Sequence, residues 1–259
     1  MKLLQVKNLT ISLQNKRIIV NNISFEVNSG DVVGIIGQSG SGKSILTMGI
    51  LGLLNKNEFT VTGSVFYKGE DITALSPQKR SLLLGKEMSL ITQNPMTAFD
   101  PSTKILKQLS SIIRSNYPYS KQDIKDKCIK QLENLGLINA TKIMESYPYE
   151  LSGGMLQRVM IALITLLESR LIIADEITTA IDAENKNVAL NLLKSLNAQG
   201  VSLIFISHDF QALKQIANKV IVLEQGVLVE SGSLKKIMFN PQKQYTKRLL
   251  RASILNGES

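Results

Sequence analysis

The octapeptide GQSGSGKS, Gly37 to Ser44, follows an almost wholly apolar run, DVVGIIG, and precedes a segment of helical spacing from Lys43 to Leu54. The pattern G-x-x-x-x-G-K-[ST], set between a buried strand and a helix, is a cradle for phosphate. Gly37, Gly40 and Gly42 let the backbone turn tightly, so that successive loop amides, those of Gln38, Ser39 and Ser41 among them, point inward. The following helix adds its positive N-terminal end. Lys43 is expected against the β and γ phosphates of a nucleotide, with the Ser44 hydroxyl on magnesium.

A second apolar run ends in acid: LIIADE delivers Asp175 and Glu176 to the carboxyl edge of a sheet, where such a loop also lies. Asp175 is expected to hold magnesium through water, and Glu176 to polarise an attacking water. Gln93, at the end of EMSLITQ, either reaches the metal with its amide oxygen or is simply the first polar residue of a loop; spacing leaves both open. His208 is the single histidine and ends VSLIFISHD. A neutral imidazole there can hydrogen-bond a γ-phosphate or orient the water.

One stretch does not fit this first site. LSGGMLQRVMIAL, Leu151 to Leu163, puts Ser152, Gly153 and Gly154 at the start of an amphipathic helix, where a hydroxyl and bare amides form a second anion site. One triphosphate needs one cradle. The second site is therefore expected to act on a nucleotide held by another subunit.

The elements that must position these residues read as follows. Alternation in LLQVKNLTISL and IVNNISFEV predicts two antiparallel strands turned at QNKR, and VTGSVFYKGEDI a hairpin turned at Lys68-Gly69. From Ser102 to about Ile143 strand signals vanish, and ILKQLSSIIR, KQDIKDKCIKQLENLGL and ATKIMESY show helical spacing. A helical insertion with borders near Pro101 and Pro148 follows. The chain then returns to βαβ winding through LIIADE, the helix AENKNVALNLLKSLNAQG with Gly200 as its C-cap, and VSLIFISHD; KVIVLEQGVLVES closes with a hairpin at Gln225-Gly226.

Composition narrows the class. The 259 residues are 44% hydrophobic, enough for one large domain, and no apolar stretch approaches the ~20 residues a membrane helix needs. The N-terminus lacks the continuous apolar core of a signal peptide, so the chain is expected in the cytosol. Its single cysteine, Cys128, reads as an ordinary half-buried helix residue, and no Cys or His cluster has metal-ligand spacing. The formal charge of +9 is spread over scattered lysines and selects no partner.

Taken in order, GQSGSGKS, Gln93, LSGGM, LIIADE, TAID and His208 resemble the Walker A, Q-loop, signature, Walker B, D-loop and switch histidine of the ATP-binding subunits of ABC transporters, over nearly the whole chain. The resemblance implies an α/β P-loop NTPase cassette: an N-terminal antiparallel β subdomain and RecA-like parallel core over residues 1–100 and 160–240, a helical signature subdomain over 101–159, and a C-terminal helix over 241–259. It implies ATP and Mg2+ as cofactors. Ser152 and Gly154, with Leu151, Gly153 and Gln157 of the same signature, would serve a nucleotide on the opposite subunit. Asp182 would organise the dimer seam, and Glu176 and His208 would serve hydrolysis within their own chain.

QNPMTAFDPSTKI, SYPYELSGGMLQRVMIAL with Met155, and NPQKQYTKRLL narrow the resemblance to the peptide, nickel and opine-metallophore importer branch, D-type subunits of nickel or metallophore kind; a cysteine-containing tail seen in many oligopeptide members is not found. The implied partners are a second, different cassette, two transmembrane permease subunits docking near Asn94 to Pro118, and an external solute-binding protein, with the chain peripheral at the cytoplasmic face of a bacterial membrane. Nucleic acid is not expected; a rival DNA- or ribosome-linked cassette would carry tandem domains, a coiled coil or zinc knuckles, and a rival non-hydrolysing regulator is disfavoured by Glu176 and His208.

Three departures from the family pattern stand out. Leu13-Gln14 occupies the place where many cassettes stack an aromatic on adenine, Gln38 replaces a frequent glutamate, and Ile177 replaces the proline that usually follows the Walker B glutamate. The last frees the local backbone, so Glu176 is expected to be held less rigidly than where proline follows.

Overall fold

Apolar residues alternate along β1 (Lys2–Leu13) and β2 (Ile18–Asn28), which pair antiparallel with one face buried. The alternation slips at Asn8 and Asn22, both at positive φ, and this restores Leu9, Ile11 and Ile23 to the core after Val6. Gly63 makes room for the slip: a Cβ there would lie 2.4 Å from the Asn8 carbonyl oxygen. The computed structural model describes residues 1–177 and 183–255.

After β3 (Val32–Ile36) and α1 (Lys43–Leu51), the chain adds β4 (Phe59–Tyr67) and β5 (Glu70–Asp71) to the other side of β1, giving a sheet of order β2-β1-β4-β5. The β4–β5 turn falls at Lys68-Gly69, with φ of 50° and 87°, the two left-handed residues of a type I′ hairpin. α1 stops at Gly52 (φ 64°), short of the expected Leu54. α2 (Pro77–Leu83), not foreseen, is started by Ser76 accepting from the Lys79 amide, and its Arg80 donates to the Leu51, Ile72 and Thr73 carbonyls.

The second sheet has the order β10-β9-β3-β8-β7-β6, built from β6 (Met88–Ile91), β7 (Leu171–Asp175), β8 (Ser202–Ile206), β9 (Lys219–Glu224) and β10 (Val227–Ser233). Every pair from β9 to β6 is parallel, and β10 returns antiparallel through Gln225-Gly226. The short apolar runs make sense here because both faces are covered. Leu171 and Ile173 face the core shared with β1, β2 and α1, while Ile172 and Ala174 face the core shared with the helices.

The insertion comprises α3 (Ile105–Asn116), α4 (Lys121–Asn134) and α5 (Ala140–Glu145), packed on α6 (Gly153–Leu166). A capping box of Ser120 and Asp123 starts α4. The Ile105 amide donates to the Ser146 carbonyl at 3.0 Å and draws the two ends of the insertion together. The expected boundary at residue 159 falls inside α6, which runs unbroken from the signature into the core. Cys128 is fully buried among Ile124 and Leu132, and burial pushes its thiol up to about 12, an unreactive core residue. α7 (Ala183–Ala198), α8 (Phe210–Ile216), α9 (Leu234–Phe239) and α10 (Gln244–Leu255) complete the chain; α8 and α9 are further short helices that the sequence pattern did not single out. Among the described residues no helix is long and apolar enough to cross a membrane.

Candidate active site

Strand register brings the chemistry to one edge. Ile206 lies opposite both Ile35 and Asp175, and Ala174 lies opposite Ile91, so β3, β6, β7 and β8 end level. The residues that leave these strands are Gly37, Gln93, Asp175 with Glu176, and His208. Four sequence-distant groups thus converge because parallel strands share one carboxyl end.

At Gly37 the chain passes so close to β9 that a Cβ would sit 2.3 Å from the Leu223 carbonyl oxygen. Gly42, at φ 96°, turns the loop into α1. Gln38, Ser39 and Gly40 are exposed at the rim, Ser41 and Gly42 are buried, and Ser44 is open to solvent. Lys43 is 4% exposed; its ammonium donates to the Gly37 and Gln38 carbonyls at 2.9 and 3.0 Å and lies 3.5 Å from Glu176 Oε1. Among the described residues, none of these loop contacts is made by Leu151 to Gly154.

Glu176 stands at φ 48°, a costly setting for a glutamate, held by its amide donating to the Ile206 carbonyl at 3.0 Å. Its Oε2 accepts from Gln93 Nε2 at 3.2 Å and lies 3.5 Å from His208 Nδ1. One carboxylate therefore meets Lys43, Gln93 and His208. Asp175 beside it bonds the Ser44 hydroxyl, yet its Oδ1 is buried without a partner. Burial is the main cause that raises the Asp175 carboxyl above the usual range, and the neighbouring Glu176 adds to it; the Ser44 bond and Lys43 oppose it.

An orphaned buried carboxylate oxygen beside a hydroxyl, with an amide oxygen available from Gln93, is a set of hard oxygen donors that fits Mg2+. The side-chain amide of Gln93 donates to Glu176 and so joins this cluster through its nitrogen.

The second cluster forms separately. Ser152 caps α6, its Oγ accepting from the Met155 amide at 3.3 Å; Ser152 and Gly153 are exposed, Gly154 is half-buried and Leu151 is buried. Gln157 is buried and donates to the Ile177 carbonyl at 2.8 Å, a role internal to the chain. Ile177 is itself 2% exposed. Ile177 is thus pinned by its side chain in the core and by a bond from α6 to its carbonyl, two anchors where the family pattern has proline. Gln157→Leu leaves that carbonyl unpaired and should lower stability by about 1–3 kcal/mol, read as a lower thermal midpoint. Asp182 of TAID lies outside the described residues.

Two contacts of this edge were not foreseen. Asp209, which caps α8 through the Gln211 and Ala212 amides, also pairs with Lys186 of α7, directly after His208. Tyr245 of α10 accepts from the Gln38 amide at 3.1 Å and the Ser41 amide donates to the Gln38 carbonyl at 3.1 Å, so these two amides, expected to point inward, are taken up within the protein. The ending NPQKQYTKRLL was visible only as a family mark, and a tyrosine in a polar run carries no spacing signal. Gln14 is spent on the Lys56 carbonyl, at 3.0 Å.

Residues 20–179 match the family described as "ABC transporter". The Metal-staphylopine import system ATP-binding protein CntD of Staphylococcus aureus (strain Mu50) is 39% identical over 252 residues, 96% of this chain and 93% of that protein. The Probable D,D-dipeptide transport ATP-binding protein DdpD of Escherichia coli (strain K12) is 39% identical over 240 residues, 92% of this chain and 73% of that one. In fold the chain is similar to the dimeric post-hydrolysis state of an ATP-binding cassette bound to ADP and Pi, at a TM-score of 0.79 and 24% identity, covering 89% and 98% of the two chains. With a phosphate loop, a Walker B pair and a signature helix ordered as above, the chain belongs to the ABC transporter ATPases, in the importer branch that holds these metallophore-import and dipeptide-transport subunits.

Proposed function

We propose that this ATPase powers the import of nickel or of a metal–metallophore complex. The observation that carries the hydrolytic part is the Glu176 carboxylate, gathered by Lys43, Gln93 and His208 beside the orphaned oxygen of Asp175. On nucleotide binding, Lys43 exchanges the Gly37 and Gln38 carbonyls for β and γ phosphate oxygens. Ser44, Asp175 and Gln93 would hold Mg2+, which neutralises charge on those oxygens. Glu176 accepts a proton from the attacking water, and His208 and Gln93 keep its carboxylate aimed.

Ser152, Gly153 and Gly154 serve a triphosphate bound to a second cassette, since the two anion sites of one chain make no contact among the described residues. A different cassette as partner suits this branch. Adenine is held without an aromatic at Leu13-Gln14; Ile18, 54% exposed, is the apolar surface nearest in sequence. A cleft of about 640 Å³ between α3 and α5, lined by Lys104, Leu106, Lys107 and Arg114, supports docking of permease segments within Asn94 to Pro118. Docked in this way, the chain would work at the cytoplasmic face of the membrane.

The cargo reading rests on the likeness to the metal-staphylopine subunit and on Met155 in the signature. The test is ATPase activity of the assembled transporter with its binding protein, with nickel, metal–metallophore or dipeptide added in turn. Stimulation by nickel or by the metal complex, lost in Ser152→Ala, is the expected result. Stimulation by dipeptide alone moves the chain to peptide import, and a response to nucleic acid without the permeases overturns the importer reading.

A further inference from the structure

We infer that the C-terminal helix is a brace on the phosphate loop and that Tyr245 is a positioning residue for nucleotide binding. The inference rests on reading Gly37 to Ser44 as that loop. Tyr245 is 6% exposed, and its hydroxyl accepts the Gln38 amide at 3.1 Å, on the rim of the loop next to the carbonyls that engage Lys43.

The helix that carries it is fixed at both ends of its first turns. Glu230 on β10 takes the Gln242 and Lys243 amides with its two oxygens, at 2.8 and 3.1 Å, directly before α10 begins. Those bonds hold the Glu230 carboxyl below its usual range, although burial acts against them. One helical turn past Tyr245, Arg248 lies over the tyrosine ring at 5.9 Å and pairs with Glu224 of β9 at 3.6 Å. β9 is also the strand whose Leu223 carbonyl presses on Gly37.

The loop is therefore held at Gly37 by β9 and at Gln38 by a phenol. The phenol oxygen at this point fixes the direction of the Gly37–Gln38 peptide. The Gln38 carbonyl at the other end of that residue is one of the two that Lys43 must leave for phosphate. Loss of the hydroxyl leaves the amide without its acceptor and lets the loop sample other orientations, which weakens a preorganised anion site while leaving the reacting groups in place.

The test measures dissociation constants for a fluorescent ATP analogue, competed with ATP, on the full chain and on three variants, with thermal midpoints alongside and KM and kcat in the assembled transporter. Tyr245→Phe keeps the ring and is expected to raise Kd and KM about fivefold, equivalent to about 1 kcal/mol, with kcat within about twofold and the midpoint within about 2 °C. Gln244→Ala, at an exposed position of the same helix, keeps both the hydroxyl and its fixings and should stay within about twofold of wild type in Kd. If Lys43→Ala weakens binding and Tyr245→Phe does not, the brace fails and the loop reading survives. If Lys43→Ala binds as wild type does, the loop reading itself falls. A Tyr245→Phe defect that comes with a midpoint lowered by more than about 5 °C makes the residue merely structural and also overturns the inference.

Discussion

Glu176→Gln is expected to stop ATP hydrolysis while ATP still binds. The carboxylate is the one group at the sheet edge that faces Lys43, Gln93 and His208 together, and glutamine reproduces its shape without its basicity. Loss of a positioned general base costs about 10²–10⁴-fold in rate. Binding should change little, because Lys43 keeps the Gly37 and Gln38 carbonyls in the free protein and gains phosphate in the bound one. Single-turnover phosphate release and nucleotide affinity, measured on the same preparation, separate the two effects. A variant that hydrolyses within tenfold of wild type would remove Glu176 from the chemistry and leave His208 as the group to test next.

Much of this edge was legible in the sequence, for a physical reason. A strand buried on both faces of a parallel sheet must be an unbroken apolar run, so DVVGIIG, EMSLI, LIIAD and VSLIFI announce themselves, and the polar residue that ends each run must emerge at the same side. Gly37, Gln93, Asp175 and His208 follow from that rule. What stayed hidden depends on contacts between distant segments. α2, α8 and α9 have six or seven residues each, too few for a 3.6-residue period to show. Gln157 looked like part of the anion site because it lies in the signature, yet the pitch of α6 turns it inward to the Ile177 carbonyl. Lys186 and Tyr245 reach the site from helices whose placement no spacing reveals.

The expectation that Ile177 loosens Glu176 meets a counterweight in the same contacts. Proline would fix one dihedral angle, whereas Ile177 fills the core and its carbonyl is bonded from α6. That bond also runs from the signature helix to the residue beside the Glu176 carboxylate. A shift of α6 on docking a second cassette would therefore pull on the Glu176 segment directly.

Asp175→Asn should make the protein more stable without magnesium and nucleotide, and less stable than wild type with them. In the free chain the Asp175 carboxylate is raised in pKa by burial, and its Oδ1 has no partner. The sign follows from linkage: a carboxyl whose folded pKa lies above the unfolded value contributes stability in full below that unfolded value and loses it as pH rises through the folded one. At neutral pH the ionised group is therefore a cost, and the neutral amide, still within reach of the Ser44 hydroxyl, relieves about 1 kcal/mol of it, or about 2–4 °C in thermal midpoint. The gain should fade as the pH is lowered toward the ordinary carboxylate range. With Mg2+ and ATP in excess the order reverses, because ligand adds stability as the logarithm of its concentration relative to Kd and the amide, a poorer oxygen donor to a hard cation, raises that Kd. Thermal scans of both proteins, with and without Mg2+ and ATP, show the crossing. An Asp175→Asn protein less stable than wild type in both conditions would mean that this carboxylate serves the fold, and the strand would then end in a structural acid with Glu176 as its only chemical group.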